Sequence, residues 1–230
     1  ILTLDSLGTG YSSAQYYKNN IYITGKIDDE DYISAYTMNG NRQWRTKYDS
    51  AWFRSYSDSR CTPTIKDDKI YLIGGSGRLA CVDARSGNII WKRDIQTEYE
   101  GEWARFGTGE APLLVDDLVV ATVGGSKTTM IALHAADGTP AWQTKSIGGE
   151  RSYGSPKLYE RNGVQLILGF TSKNVFGINP ENGEVMWNHP YFPDNERVKS
   201  RGAYMTNTPL VHDNEVYYTC GYDVPAIKLA

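Results

Sequence analysis

SGNIIW, residues 86–91, reads as a tight turn running into a β-strand that opens on tryptophan. Nearly the same phrase returns along the chain: GNRQW ends at Trp44, GNIIW at Trp91, GTPAW at Trp142 and GEVMW at Trp187, at intervals of 47, 51 and 45 residues. With six tryptophans in 230 residues, four so spaced mark an internal repeat, and a repeat outranks any local reading of secondary structure.

Working outward, each phrase is preceded by two strand-like stretches. The β-rich runs are NNIYITG (19–25), DKIYLIGG (68–75), DLVVATVGG (117–125), GVQLILGF (163–170) and NEVYYTCG (214–221), most of them behind a polar hairpin turn such as Asp67-Asp68 or Asp116-Asp117. Upstream of each lies a shorter strand signalled by a small residue and proline at Thr62-Pro63, Ala111-Pro112, Ser155-Pro156 and Thr208-Pro209, with Ser13-Ala14 in the equivalent place of the first unit. Proline lacks the N–H a ladder needs, so it belongs at a strand's beginning.

The third strand of each unit carries a small residue (Ala35, Cys81, Ala132, Gly177), then a turn glycine (Gly40, Gly87, Gly138, Gly183), then the tryptophan. The glycine suits a turn position with positive φ. The indole supplies a large apolar face to bury between neighbouring sheets. Four strands per unit, no helical period and a repeat of about 45 residues predict an all-β fold, a β-propeller of four-stranded antiparallel blades. The expected repeats run 11–47, 61–94, 110–145, 154–188 and 207–230 of one propeller domain: about five blades of an expected seven or eight. The chain is expected to continue, because a propeller closes on itself to protect its edge strands.

The pattern small-x-Asp-x-x-Ser/Thr-Gly-x-x-x-Trp, best matched at Cys81–Trp91, resembles the tryptophan-docking motif of pyrroloquinoline-quinone-type (PQQ) bacterial propeller repeats. Thr37, His134 and Asn179 stand where the motif has Asp83. The resemblance covers essentially the whole chain. Such repeats occur in quinoprotein alcohol dehydrogenases and in an outer-membrane assembly lipoprotein, so membership alone leaves the chemistry open. It implies an exported protein, periplasmic or secreted. It also raises pyrroloquinoline quinone with calcium as a cofactor, yet the vicinal Cys-Cys of the alcohol-oxidising members has no counterpart here, and no cofactor is evident from motif.

Net charge of −3 gives no electrostatic footprint for nucleic acid, and no apolar run reaches membrane-spanning length. Cys61, Cys81 and Cys220 form no CxxC and read as packing residues; His134, His189 and His212 are scattered, so no metal site is read. The acidic run Asp28–Asp31 lacks the ligand alternation of a calcium loop and reads as a solvated hairpin tip.

The remaining signal lies in the long connections between one unit's last strand and the next unit's first. Each carries an arginine shortly before the next proline, Arg60, Arg105, Arg151 and Arg201, with aromatic residues alongside: Trp52, Phe53 and Tyr56; Trp103 and Phe106; Tyr153; Tyr204. On one face of a propeller these would present forked donors for an anion and rings for stacking on a sugar or quinone. The competing role is structural, with arginines anchoring long loops through cation–π contacts. The expected function is a non-catalytic propeller of the cell envelope that binds a protein or an anionic or carbohydrate ligand on this loop-rich face. A quinoprotein oxidoreductase and a propeller recognising an acidic glycan are the alternatives. No catalytic residue is assigned.

Overall fold

A computed structural model describes residues 3–191, 204–221 and 224–229. Four antiparallel sheets follow one another, each with its strands in simple sequence order. The first holds β1 (Gln15–Tyr17), β2 (Asn20–Ile27), β3 (Glu30–Thr37) and β4 (Arg42–Ser50). The second holds β5 (Thr64–Lys66), β6 (Lys69–Ile73), β7 (Arg78–Asp83) and β8 (Ile89–Asp94). A single helical turn, α1 (Ile95–Glu98), then leads to the third: β9 (Leu113–Val115), β10 (Leu118–Thr122), β11 (Thr128–His134) and β12 (Pro140–Lys145). The fourth holds β13 (Lys157–Arg161), β14 (Val164–Phe170), β15 (Asn174–Ile178) and β16 (Val185–Pro190). A last, three-stranded sheet is β17 (Leu210–His212), β18 (Glu215–Tyr218) and β19 (Ile227–Leu229). Helix α1 is the one departure among the described residues from an all-strand reading.

Local chemistry places the strand ends. Strands β5, β9, β13 and β17 each begin at the residue after the marked proline. The first hairpin of each unit turns on polar residues with positive φ: Lys18 and Asn19, Asp67 and Asp68, Asp116, Asn162, Asp213. Such primed turns match the right-handed twist of the strands they join.

The chain groups into two compact units, one of Ile1–Gln96, Arg105–Pro112 and Ala135–Gly138, the other of Thr97–Ala104, Leu113–His134 and Thr139–Ala230. In the first unit Tyr22, Ile33, Ala35, Tyr48, Ile70, Leu72, Ala80 and Val82 form a buried cluster. In the second, one cluster joins Val120, Met130, Ala132, Ile167, Phe176 and Ile178, and another joins Leu168, Phe170, Val175, Val216 and Tyr218. Central strands such as β6 and β11 are buried along nearly their whole length.

The repeated tryptophans hold these layers together by one geometry used three times. Each sits directly opposite its unit's small residue: Trp44 against Ala35, Trp91 against Cys81, Trp142 against Ala132. The Trp44 indole N–H donates to the Ala84 carbonyl at 3.3 Å, that of Trp91 to Ala135 at 3.2 Å and that of Trp142 to Pro180 at 2.9 Å. Each acceptor lies three residues before a turn glycine, Gly87, Gly138 or Gly183, whose φ is 77°, 73° or 75°. A second donor two residues after each tryptophan reaches the carbonyl of that glycine. Thr46 bonds Gly87 at 2.6 Å, Arg93 bonds Gly138 at 2.9 Å and Thr144 bonds Gly183 at 2.8 Å. The indole lies flat on the glycine, and a β-carbon on Gly87 would come within 2.6 Å of Trp44 Cδ2.

Gly87→Ala therefore combines left-handed strain with overpacking, and a loss of about 2–4 kcal/mol is expected. Urea unfolding is the measurement. A loss under about 0.5 kcal/mol would show that the indole does not hold the turn.

Candidate functional site

In the first unit the long connection 51–61 folds its aromatics into a contiguous web. Trp52 is 1% exposed. Its ring covers Gly107, where a β-carbon would meet Trp52 Cδ2 at 2.8 Å, and its backbone closes over Gly75. Phe53 packs on it with centroids 5.1 Å apart, and the Arg54 guanidinium lies 5.5 Å from the Trp52 ring and 5.3 Å from the Phe53 ring. Tyr56 meets Phe106 edge-on at 5.5 Å, with Arg105 5.5 Å from the same ring. Arg60 donates to the Phe106 carbonyl. Around this web Phe53 is 77% exposed, Tyr56 66% and Tyr11 62%. Tyr11 joins it through its backbone N–H, which donates to Ser59 at 2.8 Å.

Beneath the web lies a pair of buried acids, one of which, Asp31, the sequence reading places at a solvated hairpin tip. Asp28 and Asp29 do form an exposed hairpin tip, but Asp31 turns inward and is buried, directly opposite the equally buried Asp49. Asp31 Oδ2 accepts the Gly75 N–H at 3.0 Å. Asp49 Oδ1 accepts from Arg78 and from the Ser50 N–H, each at 2.8 Å. Among the described residues, Asp31 Oδ1 and Asp49 Oδ2 have no hydrogen-bond partner. Loss of water pushes the Asp31 carboxyl up to about 6 against the pull of the Gly75 N–H, and the Asp49 charge adds to the rise. Burial raises Asp49 as well, opposed by Arg78. Alternation was the signal available in the sequence: Asp31 shares a strand face with Ile33 and Ala35. Asp31 is tied to the 74–77 turn that Trp52 covers, so the acid pair and the aromatic web share one support.

In the second unit Arg151 is 2% exposed, its Nε donating to the Val123 carbonyl at 3.1 Å. The following residues are clamped to Met205. The Tyr153 N–H donates to the Met205 carbonyl at 2.9 Å, and Ser152 Oγ both donates to that carbonyl and accepts the Met205 N–H. Tyr153 pairs with Tyr204 at 5.9 Å. Trp103 is 44% exposed. A polar groove of about 470 Å³ lies by Glu102, Gly125, Gly149, Glu150 and Lys173. Glu150 there is raised by burial, then by the Glu102 charge, with Lys173 opposing. Arg201 lies outside the described residues.

The arginines marked in the sequence thus divide in role. Arg151 is an internal anchor. Arg60 is half-buried on a backbone carbonyl, and Arg105 is exposed on an aromatic ring. Arg54, exposed over two rings, was missed because it precedes the proline by nine residues and fits no repeat.

A family described as outer membrane protein assembly factor BamB matches residues 29–227. The chain belongs to this PQQ-repeat family. It is 24% identical over 190 residues to the quinoprotein alcohol dehydrogenase PedH of Pseudomonas putida, covering 80% of this chain and 29% of that one. It is 27% identical over 193 residues to the outer membrane protein assembly factor BamB of Salmonella typhimurium, covering 82% and 43%. The solved quinohemoprotein alcohol dehydrogenase of Comamonas testosteroni superposes with a TM-score of 0.69 at 14% identity, over 94% of this chain and 40% of that one. The fold is therefore the PQQ-type β-propeller fold, and the chain spans less than half the length of these relatives.

Trp52 is buried against Gly107, Phe53 and Arg54, and Arg151 is enclosed, so neither presents a free ring face or guanidinium to a stacking quinone.

Two outcomes follow from this geometry. Arg151→Ala leaves a buried pocket and an unmet carbonyl and should cost about 2–4 kcal/mol, whereas Arg105→Ala should stay within about 0.5 kcal/mol in the same urea titration. The Asp31 proton is held more tightly in the folded chain than in the unfolded one, where the ordinary value is 3.8. Its stabilising contribution is full below about pH 4 and is lost as pH rises to about 6, on the order of 3 kcal/mol. Asp31→Asn should flatten the dependence of urea midpoint on pH between 4 and 7. An unchanged slope would place that titration elsewhere.

Proposed function

We propose that this protein is a non-catalytic PQQ-type propeller of the bacterial cell envelope that binds another protein through the arginine–aromatic web of its first unit. The observation that carries the reading is the exposure of Phe53 and Tyr56 on a rigid base of buried Trp52, with Arg54 and Arg105 spread over the rings. Large aromatics and arginine, held rigid before contact, are the residues that dominate protein interfaces, since little side-chain entropy is lost on docking. We take the partner surface to be acidic, because Arg54 and Arg105 lie exposed over the rings. Kinship with an outer membrane assembly factor supports a protein partner. No helix among the described residues is long and apolar enough to cross a membrane.

Photo-crosslinking tests the reading. A crosslinker placed at position 53 or 56 in envelope-exported protein should yield a discrete protein adduct, one at position 181 none, and Arg54→Glu with Arg105→Glu should abolish the adduct while leaving the urea midpoint unchanged. Equal adducts from position 181 would refute the assignment. Titration with pyrroloquinoline quinone in calcium should leave tryptophan fluorescence unquenched. Saturable, calcium-dependent quenching would replace this reading with the quinoprotein oxidoreductase. Saturable binding of an acidic oligosaccharide that the two glutamate substitutions abolish would replace it with glycan recognition.

A further inference from the structure

The two acids beneath the web converge on one peptide. Asp31 and Asp49 stand directly opposite each other across β3 and β4, so their side chains leave the same face with β-carbons about 5 Å apart. Asp31 Oδ2 takes the Gly75 N–H at 3.0 Å, and Asp49 Oδ2 lies so near Gly74 that a β-carbon there would meet it at 2.0 Å. Each acid keeps one buried oxygen, Asp31 Oδ1 and Asp49 Oδ2, without a donor among the described residues. A single proton repairs both, since a protonated carboxyl donates to the ionised one. The partners decide which acid carries it. Asp49 receives the Arg78 guanidinium and the Ser50 N–H, which favour its anion, whereas Asp31 accepts from the neutral amide of Gly75. Around Asp49 stand Arg78 on β7, with Asp94 and Glu30 beyond it, and Lys92 on β8. Around Asp31 stand Arg60, Tyr48 and Cys61, with Glu110 beyond the thiol. Burial raises the Tyr48 phenol and pushes the Cys61 thiol up to about 12, so both stay neutral. All three histidines belong to the second unit.

We propose that Asp31 and Asp49 hold one proton between them, Asp31 Oδ1–H donating to Asp49 Oδ2, and that its loss loosens the 74–77 turn, which makes the aromatic web a pH-dependent surface. The turn is gripped from both sides. On the strand side, Asp31 holds the Gly75 N–H, and the Ser50 carbonyl accepts from Ser76 Oγ at 3.0 Å. On the web side, a β-carbon on Gly75 would meet the Trp52 backbone nitrogen at 2.9 Å. The Gly75 carbonyl accepts the Thr108 N–H at 3.2 Å, next to the Gly107 that the Trp52 ring covers. When the proton leaves, two buried anions repel across one strand pair, and Asp31, which no arginine holds at hydrogen-bond distance, is the one to withdraw. Its withdrawal frees the Gly75 amide and unseats Trp52, on which Phe53 packs. The latch serves the surface proposed above as the docking site, yet it acts in the unbound protein, so its failure and that of the partner assignment are told apart.

The test is a carbon-13 titration of the aspartate carboxyls in the whole chain, with Asp31→Asn and Asp49→Asn for assignment. Both resonances should move together in a shared step near pH 6. Over that step the Trp52 indole resonance, assigned with Trp52→Phe, should shift. Exchange of the Gly75 amide, corrected for its intrinsic pH dependence, should quicken about tenfold. Asp49→Asn offers Asp31 Oδ1 an amide donor and removes the opposing charge, so it should weaken proton binding at Asp31 by about tenfold or more. Asp31→Asn keeps a donor toward Asp49 at every pH and should hold Trp52 and Gly75 in their acid form throughout. An Asp31 step at the ordinary 3.8 would overturn the proposal, as would an Asp49 resonance that stays still while Asp31 titrates. A paired step that leaves Trp52 and Gly75 unmoved would overturn the link to the web. These three readings come from the unsubstituted protein and hold even where an asparagine variant fails to fold.

Discussion

An indole lying on a glycine is the contact from which the rest of this fold follows. The ring needs a flat neighbour, the neighbour needs positive φ, and both needs are met only where a turn carries glycine. Two hydrogen bonds then fix the ring and its strand to the turn's carbonyls, at i−3 and i relative to the glycine. Because both acceptors are backbone atoms, the turn side chains are free to vary. Arg85-Ser86, Asp137 and Glu181-Asn182 occupy these turns without altering the dock. That freedom explains how a repeat with so little strict identity keeps one geometry.

The same economy does not extend to the loops. The first unit's connection places Phe53 and Tyr56 in solvent on a buried tryptophan, whereas the second unit's equivalent is clamped to Met205 through Ser152 and Tyr153. Repeats that share a scaffold have diverged where the scaffold imposes nothing. The buried Asp31–Asp49 pair is a further local choice. Two carboxyls buried facing each other cost stability at neutral pH, and the 74–77 turn they support lies against Trp52, on which Phe53 packs.

Fold and dock were legible because they obey short rules. Prolines set the first strand of four sheets, Asp and Asn set the hairpins, and the glycine–tryptophan phrase set the closure of each layer. The second donor, two residues past three of the tryptophans, was invisible because threonine and arginine share little except that they donate. The loop arginines were visible as a class but not by role, since a guanidinium enclosed by a carbonyl and one spread on a ring are spelled alike. Asp31 was misread for a related reason. Its neighbours in sequence are solvated, and its neighbour in space, Asp49, lies across a strand pair.

One irregularity recurs at every dock. The register slips by one residue immediately after the small residue in all four complete sheets, at Ala35/Tyr36, Cys81/Val82, Ala132/Leu133 and Gly177/Ile178. The extra residue, Gln43, Ile90, Ala141 or Met186, falls on the last strand of its sheet, which is an edge. A bulge twists an edge away from flatness and interrupts its row of free amides and carbonyls. Four successive sheets thus present edges that are poor templates for one another and for other molecules. The device that aims the tryptophan inward also guards a protein rich in tyrosine and exposed β-edges against growing into a fibril.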